Sequence, residues 1–136
     1  MDVNRLQNIP LFAELSRKDR EQVAKWADEI DVEAGHHLLH EGRFPHEFFA
    51  ILEGTVEVTK AGKHVANLGP GDFFGEIAIV ERERRTATVV ATTPLRAIMM
   101  FAPEFELMQS EMPTLAPRVH QAIRVRLARD ADASSG

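Results

Sequence analysis

The spacing of hydrophobic residues changes twice along this chain of 136 residues. Apolar side chains recur at helical intervals before Ile30 and again after Pro103, whereas residues 30–100 carry short apolar runs separated by glycines. Short runs that alternate with polar residues and end at glycine turns are typical of β-strands. The pattern therefore predicts an N-terminal helical segment, an all-β unit and a C-terminal helical segment.

The N-terminal segment, about residues 4–28, is predicted to be helical. Ser16 stands three residues before Asp19, a spacing that resembles a capping box with Asp in place of the usual Glu. Trp26 is interpreted as an anchor in the core or at an interface, since a large aromatic residue buries much apolar area. Trp26 is therefore not counted among the candidate ligand-binding residues.

The middle of the chain, about residues 29–101, is predicted to be the β unit. Residues 55–59 alternate apolar and polar side chains with period two, and Ala61 and Gly62 are expected to form a hairpin tip. The other predicted strands are 48–52, 64–68, 86–91 and 95–101. Strands at this spacing favour a sandwich or an open barrel.

The C-terminal segment, about residues 103–130, is predicted to be helical again. Pro103 suits a first helical turn, and Pro113 and Pro117 are expected to restart or kink the helix. A stripe of helical period is interpreted as the face packed on the β unit: Leu115, Val119, Ala122, Ile123 and Leu127. The helix is expected to stop near Asp130 and the small, polar residues 131–136 to fray.

Composition limits the class of protein. A chain of this length most often forms one domain, and a formal net charge of −5 argues against nonspecific nucleic-acid binding. The chain has no cysteine, which excludes disulfides and thiolate metal sites. We expect a cytoplasmic protein, because no apolar run approaches the length of a membrane span and the N-terminus lacks a signal-peptide core.

The densest candidate chemistry lies between residues 69 and 88. Gly75 precedes a short apolar turn, which predicts a helix N-terminus whose free backbone N–H groups suit an anion. Arg85 can add a bidentate contact to a phosphate. Glu76 would repel a phosphate, so a sugar hydroxyl is its natural donor. Together these residues predict a site for a small ligand that carries both a phosphate and a sugar hydroxyl.

At these residues the chain resembles the cyclic nucleotide-binding domain family. The phosphate-binding cassette of that family is similar to Phe74-Gly75-Glu76-Ile77-Ala78-Ile79 followed by Arg85-Thr86-Ala87-Thr88. The resemblance covers about residues 9–127 and includes Gly35, His40-Glu41-Gly42, Leu52-Glu53-Gly54 and Gly69-Pro70-Gly71-Asp72. It implies a mainly β fold in a single domain, residues 1–136. The expected architecture is an eight-stranded β-roll (a double-stranded β-helix of jelly-roll type) with an N-terminal helical bundle and C-terminal helices.

The resemblance also implies roles for individual residues. Glu76 would accept the ribose 2′-OH, and Arg85 would bind the cyclic phosphate. Thr86 would offer a hydroxyl near the phosphate or the base. The other residues carried over to the ligand site are Phe74, Gly75, Ile77, Ala78 and Ala87. The implied ligand is cAMP or cGMP, with no preference assigned, and no metal or further cofactor is expected.

Two departures from the family pattern affect these expectations. Arg84 stands where the family often has proline, which adds charge beside the phosphate and is expected to loosen the loop. Pro117 interrupts the helix that covers the base in many members, so Arg124 and Leu127 remain only candidates for that contact.

Together these observations lead to the hypothesis of a non-catalytic regulatory sensor for signal transduction. Ligand binding is expected to repack the C-terminal helices against the β-roll, and the helix stripe suggests a homodimer. The sequence does not identify the effector, and it leaves open whether the chain acts alone or within a longer protein.

Two other functions stay open. A metal-dependent cupin enzyme shares the roll topology, and this chain has closely spaced histidines at His36, His37 and His40. A cupin needs a later histidine, however, and Asp72, Phe73 and Phe74 follow the Pro-Gly turn here. The other alternative is a degenerate roll that binds no nucleotide and uses the stripe of Leu115, Val119, Ile123 and Leu127 for docking.

Overall fold

The computed structural model describes the backbone of residues 1–135 and the side chains of residues 1–126. A 3-10 helix, Val3–Asn8, is followed by α1, Pro10–Ala13, and α2, Arg17–Trp26. The Ser16 hydroxyl accepts a hydrogen bond of 3.1 Å from the backbone N–H of Asp19, which confirms the predicted N-cap of α2. Trp26 packs, half-buried, against the core below this segment.

Eight strands form two antiparallel sheets, as the predicted β-roll requires. The strands are β1 Asp28–Val32, β2 His37–Leu39, β3 Glu47–Glu53, β4 Val56–Lys60, β5 Lys63–Leu68, β6 Phe73–Phe74, β7 Thr88–Ala91 and β8 Leu95–Phe101. One sheet has the order β1-β8-β3-β6 and the other β2-β7-β4-β5. The strand predicted at residue 86 begins only at Thr88, because the backbone from Arg85 to Ala87 lines a cavity instead.

The alternation of β3 explains where the core lies. Phe48 points into a cluster shared with the helices, and its ring stacks on Phe105 with centroids 4.5 Å apart. Phe49 points the other way, into a second cluster between the sheets, and stacks on Phe74 with centroids 5.1 Å apart. A strand with period two thereby joins the helical layer to the interior of the roll.

Three further helices complete the fold: α3 Glu76–Val80, α4 Ala102–Glu111 and α5 Ala116–Ser135. Pro117 lies in the first turn of α5, so it opens this helix and does not interrupt it as the sequence suggested. The backbone of α5 also continues past Asp130 to Ser135, which corrects the expected end of the helix. Gly136 lies outside the described residues.

The apolar stripe of α5 is packed inside this chain. Leu115, Val119 and Ile123 are buried in the helical cluster, as predicted for a face that covers the β unit. Leu115, Val119 and Ile123 are therefore already covered in this conformation, whereas the side chain of Leu127 lies outside the described residues. A homodimer or docking contact through the stripe stays a prediction. No helix within residues 1–135 is long and apolar enough to cross a bilayer.

Candidate functional site

Gly75 begins α3 in a backbone conformation that favours glycine. Its φ is +94°, and a Cβ at this position would lie 3.0 Å from the Glu47 carbonyl oxygen. The same Cβ would lie 3.2 Å from Nη1 of Arg85. Glycine is therefore required here both for the left-handed turn and for the close approach of its neighbours.

Arg85 is buried and faces Gly75. Its Nη1 donates a hydrogen bond of 2.7 Å to the Gly75 carbonyl, and its Nη2 donates to the Glu47 carbonyl. Burial lowers the pKa of Arg85 from its ordinary value, while the carboxylates of Glu47 and Glu76 act in the opposite direction. Arginine remains cationic even when it is buried. The two hydrogen bonds therefore fix a positively charged guanidinium beside the first turn of α3.

The β2–β3 turn holds the backbone of Arg85 on both sides. The Gly42 N–H donates to the Arg85 carbonyl over 2.9 Å, and the Arg85 N–H donates to the Arg43 carbonyl over 2.8 Å. Arg84 lies on the exposed side and donates to the Gly42 carbonyl over 3.1 Å, with its guanidinium 4.5 Å from the Phe44 ring centroid. The expectation that Arg84 loosens this loop is therefore wrong, because Arg84 ties the two loops together.

Glu76 is fully buried, and its two carboxylate oxygens have different surroundings. Oε1 accepts a hydrogen bond from Nη1 of Arg126, whereas Oε2 has no hydrogen-bond partner among the described residues. Burial raises the pKa of Glu76, and the Arg126 and Arg85 guanidinium groups oppose that shift. A buried acceptor without a partner is uncommon and calls for an explanation.

Arg126 is the site residue that the sequence analysis missed. Besides the Glu76 contact, its Nη2 donates to the Phe73 carbonyl, and its guanidinium lies 5.1 Å from the Phe73 ring centroid. Arg126 follows Val119 by seven residues, which is two helical turns, so the helical period places it on the packed face. The feature of the sequence that could have identified Arg126 is a cationic residue on an otherwise apolar face of a helix.

Of the two residues proposed to cover a base, Arg124 is described by the structure and is not among the residues lining the cavity. Arg124 is exposed and donates a hydrogen bond of 2.9 Å to the Gln121 side-chain oxygen. The side chain of Leu127 lies outside the described residues.

One cavity brings the predicted site residues together. It encloses about 600 Å³, counting the part open to solvent. Glu76, Arg85 and Arg126 supply its charged end, and the remainder is mostly apolar. The lining includes all eight predicted residues, Phe74, Gly75, Glu76, Ile77, Ala78, Arg85, Thr86 and Ala87, together with Leu39, Val58, Val65, Ala66, Leu68, Val89 and Arg126. This composition, an apolar lining with one charged end, suits a small organic ligand with a polar end.

The histidines of the cupin alternative lie away from this cavity lining. The His37 and His40 rings stack with centroids 5.2 Å apart and an interplanar angle of 5°. Among the described residues, no group of three or more His, Cys, Asp or Glu side chains is arranged to hold a metal ion.

Comparison with known sequences agrees with this geometry. The sequence model of the family described as "Cyclic nucleotide-binding domain" matches residues 29–111. This match spans more than half of the chain, from β1 through α4, and includes the whole turn between Gly75 and Arg85. The chain belongs to the cyclic nucleotide-binding domain family.

Individual relatives come from different kinds of protein. The cAMP-dependent protein kinase regulatory subunit of Schizosaccharomyces pombe is 33% identical over 101 residues, covering 74% of this chain and 24% of the relative. A cyclic nucleotide-gated potassium channel of Rhizobium etli is 30% identical over 113 residues, covering 83% of this chain and 32% of the channel. The chain thus spans about a quarter to a third of the length of these two relatives.

The fold is shared with solved structures as well. A cAMP-bound fragment titled PfPKA-R superposes with a TM-score of 0.89 and 19% identity, covering 97% of this chain and 46% of that one. At this identity the likeness establishes the β-roll and its flanking helices.

Proposed function

We propose that this chain is a non-catalytic sensor that binds a cyclic nucleotide, cAMP or cGMP, in the cavity between α3 and α5. The observation that carries the proposal is Oε2 of buried Glu76, which has no hydrogen-bond partner among the described residues, in the same cavity lining as the buried guanidinium of Arg85. An acceptor and a fixed cation in one cavity match a ligand that has a hydroxyl beside an anion.

The cyclic phosphate binds at Arg85 in this proposal. A guanidinium has five N–H donors, and the described contacts use one to Gly75 and one to Glu47. The remaining donors are available to phosphate oxygens. The backbone N–H groups of Ile77 and Ala78 assist, because the first N–H groups of a helix have no partner within it. The N–H group of Ala87, in the loop before β7, is a further donor in this proposal.

The sugar and the base occupy the rest of the cavity. The ribose 2′-OH donates to Oε2 of Glu76, which satisfies the unpartnered oxygen. The base lies toward the apolar part of the lining, where Val58, Val65 and Leu39 are found, and Thr86 lies between the two ends. Apolar walls accept the flat face of either purine, so the proposal assigns no preference between cAMP and cGMP.

The signal leaves the site through α5. This helix contacts both α3 and β5, which border the cavity, and Arg126 joins α5 to Glu76. Ligand binding shifts the population of α5 positions, so that the helix repacks against the roll. The relatives named above include a kinase regulatory subunit and a channel, and we propose that this chain likewise regulates a separate effector, in the cytoplasm.

Isothermal titration tests the proposal directly. The wild type is titrated with cAMP, with cGMP, and with adenosine, which keeps a base and a sugar but has no phosphate. We expect heat with at least one cyclic nucleotide and markedly weaker binding of adenosine. No heat with either cyclic nucleotide at millimolar concentration would favour the degenerate interaction module.

A matched pair of arginine variants tests the phosphate contact. Arg85→Ala is expected to weaken binding by about 100-fold or more, since hydrogen bonds to charged groups contribute about 1.5–3 kcal/mol each. Arg85→Lys keeps the charge without the planar fork and is expected to recover only part of the affinity. Arg84→Ala is the control, because Arg84 is exposed outside the cavity lining. Equal affinity in Arg85→Ala and in the wild type would contradict the assigned phosphate contact.

A further inference from the structure

The last described turn of α5 presents a single inward contact. Up to Ile123 the helix is held by buried apolar side chains. Beyond it, Arg124 and Val125 are exposed, and Arg126 reaches the cavity. Among the described side chains, Arg126 is therefore the contact that connects this turn of α5 with the charged end of the site.

The two carboxylate oxygens of Glu76 differ in their hydrogen-bond contacts. Arg126 takes Oε1, while Oε2 stays without a partner among the described residues. A second contact, from Nη2 of Arg126 to the Phe73 carbonyl, fixes the plane of the guanidinium. A planar guanidinium with both Nη groups engaged restricts the rotation of the carboxylate that it binds. Arg126 thus binds one carboxylate oxygen of Glu76, a residue of the cavity lining, and leaves the other without a partner among the described residues.

The ionisation of Glu76 depends on few groups. Arg126 faces it from α5, and Arg85 faces it from the loop before β7, with a weaker effect. Burial favours the protonated form, and the Arg126 guanidinium is the largest influence favouring the carboxylate, followed by the backbone N–H of Glu76 itself. The residues of β5 that line the cavity, Val65, Ala66 and Leu68, carry no charge.

We propose that Arg126 is a positioning residue, which binds one oxygen of Glu76 and thereby holds the other oxygen for the ligand. A ligand hydroxyl on Oε2 and the guanidinium on Oε1 then form one chain of charge-assisted hydrogen bonds, in which each strengthens the other. The ligand and the end of α5 are coupled through the same carboxylate. The assignment of the hydroxyl to a ribose rests on the function proposed above, whereas the control of Glu76 by Arg126 does not.

The first experiment needs no ligand. The side-chain carboxyl carbon of Glu76 is titrated by NMR in the wild type, in Arg126→Gln and in Arg126→Lys. Removing an opposite charge at contact distance is expected to raise the pKa of Glu76 by about one unit or more in Arg126→Gln. Arg126→Lys, which restores a cation, is expected to lie close to the wild type. The matched control is Arg124→Gln, which removes an exposed cation from the same helix.

The second experiment measures the affinity for cAMP and cGMP between pH 5.5 and pH 8. In Arg126→Gln the pH below which binding weakens is expected to move upward by about one unit, and affinity at neutral pH to fall by about tenfold. Arg126→Lys is expected to restore the pH profile more fully than the affinity. Backbone amide shifts of α5 in each variant check that the helix still forms.

Three outcomes would overturn the inference. Unchanged titration of Glu76 in Arg126→Gln would remove the control of ionisation, whether or not any nucleotide binds. Tighter nucleotide binding in Arg126→Gln would mean that Arg126 competes with the ligand. A loss of affinity with an unmoved pH profile, equal in the Lys and Gln variants, would mean that Arg126 only holds α5. If neither nucleotide binds the wild type, the proposed function fails while the titration still decides the role of Arg126.

Discussion

Two turns of the roll use a glycine with positive φ in different surroundings. Gly62, with φ +78°, ends the hairpin between β4 and β5, and a Cβ there would meet nothing within 4 Å. Gly75, with φ +94°, is enclosed by the Glu47 carbonyl and the Arg85 guanidinium. The first glycine meets only a requirement of the backbone, whereas the second also makes room for its neighbours.

The charges around the two turns differ in the same way. Lys60 and Lys63 flank the hairpin tip near solvent, where a hydrated charged side chain changes the free energy of folding little. Next to Gly75, the charged side chains Glu76 and Arg85 are buried, and they are the only buried charged residues among those whose side chains are described. Burying charge opposes folding unless it is compensated, so the second turn is where a functional site is expected.

The largest expected effect separates the two glycines. Gly75→Ala is expected to lower the free energy of unfolding by about 3 kcal/mol and to abolish nucleotide binding, because left-handed strain adds to overpacking. Gly62→Ala introduces left-handed strain without overpacking. It is expected to lower the free energy of unfolding by about 1 kcal/mol and to leave the nucleotide affinity unchanged. Denaturant unfolding and isothermal titration measure both quantities. Equal losses in the two variants would mean that crowding at Gly75 has no effect.

Two glutamates extend the comparison to the ligand. Glu76→Gln keeps the shape of the buried side chain but removes its charge, and is expected to weaken nucleotide binding by about tenfold. Glu57→Gln is the control near the hairpin, where Glu57 pairs with His64 over 2.9 Å and is partly exposed. The nucleotide affinity of Glu57→Gln is expected to stay within about twofold of that of the wild type. A larger loss in the Glu57 variant would place the sugar contact elsewhere.

The pH dependence of stability offers a third distinction. The pKa of Glu76 is raised in the folded state, so the folded protein binds this proton more tightly than the unfolded chain does. The stability that Glu76 contributes is therefore complete at low pH and is lost as the pH rises through the folded pKa, with a slope of at most about 1.4 kcal/mol per pH unit.

This dependence is measured as a difference between two proteins. The free energy of unfolding of the wild type minus that of Glu76→Gln is determined from pH 5 to pH 8. We expect the difference to fall with increasing pH, because glutamine does not titrate. A difference that rises with pH would mean that Arg126 and Arg85 outweigh the burial of Glu76.

The smallest effect concerns the hairpin alone. Ala61 precedes Gly62 with φ +52°, a conformation that alanine adopts with strain. Ala61→Asn places a residue favoured in such hairpin turns and is expected to raise the free energy of unfolding by about 0.5–1 kcal/mol. Nucleotide affinity is expected to stay the same, and a change in it would show that the two turns are coupled.

Features encoded within a few neighbouring residues could be predicted from the sequence. The cap at Ser16, the hairpin at Ala61 and Gly62, and the strand at residues 48–52 depend on local spacing, and each is found in the structure. The turn from Gly75 to Arg85 is similar, because its parts lie close together along the chain. Local backbone and side-chain preferences are sufficient to define such features.

What the sequence analysis missed depends on contacts between distant segments. Arg126 meets Glu76 across 50 positions of sequence, and only the packing of α5 brings them together. The sequence also left open whether the α5 stripe packs inside the chain or serves a homodimer, and in the structure Val119 and Ile123 cover the core of their own chain. A helical period shows which residues share a face but not what that face contacts.

The backbone of Arg85 is held by Gly42 and Arg43, across from the exposed residues 81–84. A guanidinium anchored in this way does not depend on the length of the segment that leads to it. Insertions or deletions within residues 81–83, which come before Arg84, are therefore expected to leave the Arg85 side chain in place. Divergence at these positions would alter the exposed surface of the chain without moving the groups that line the cavity.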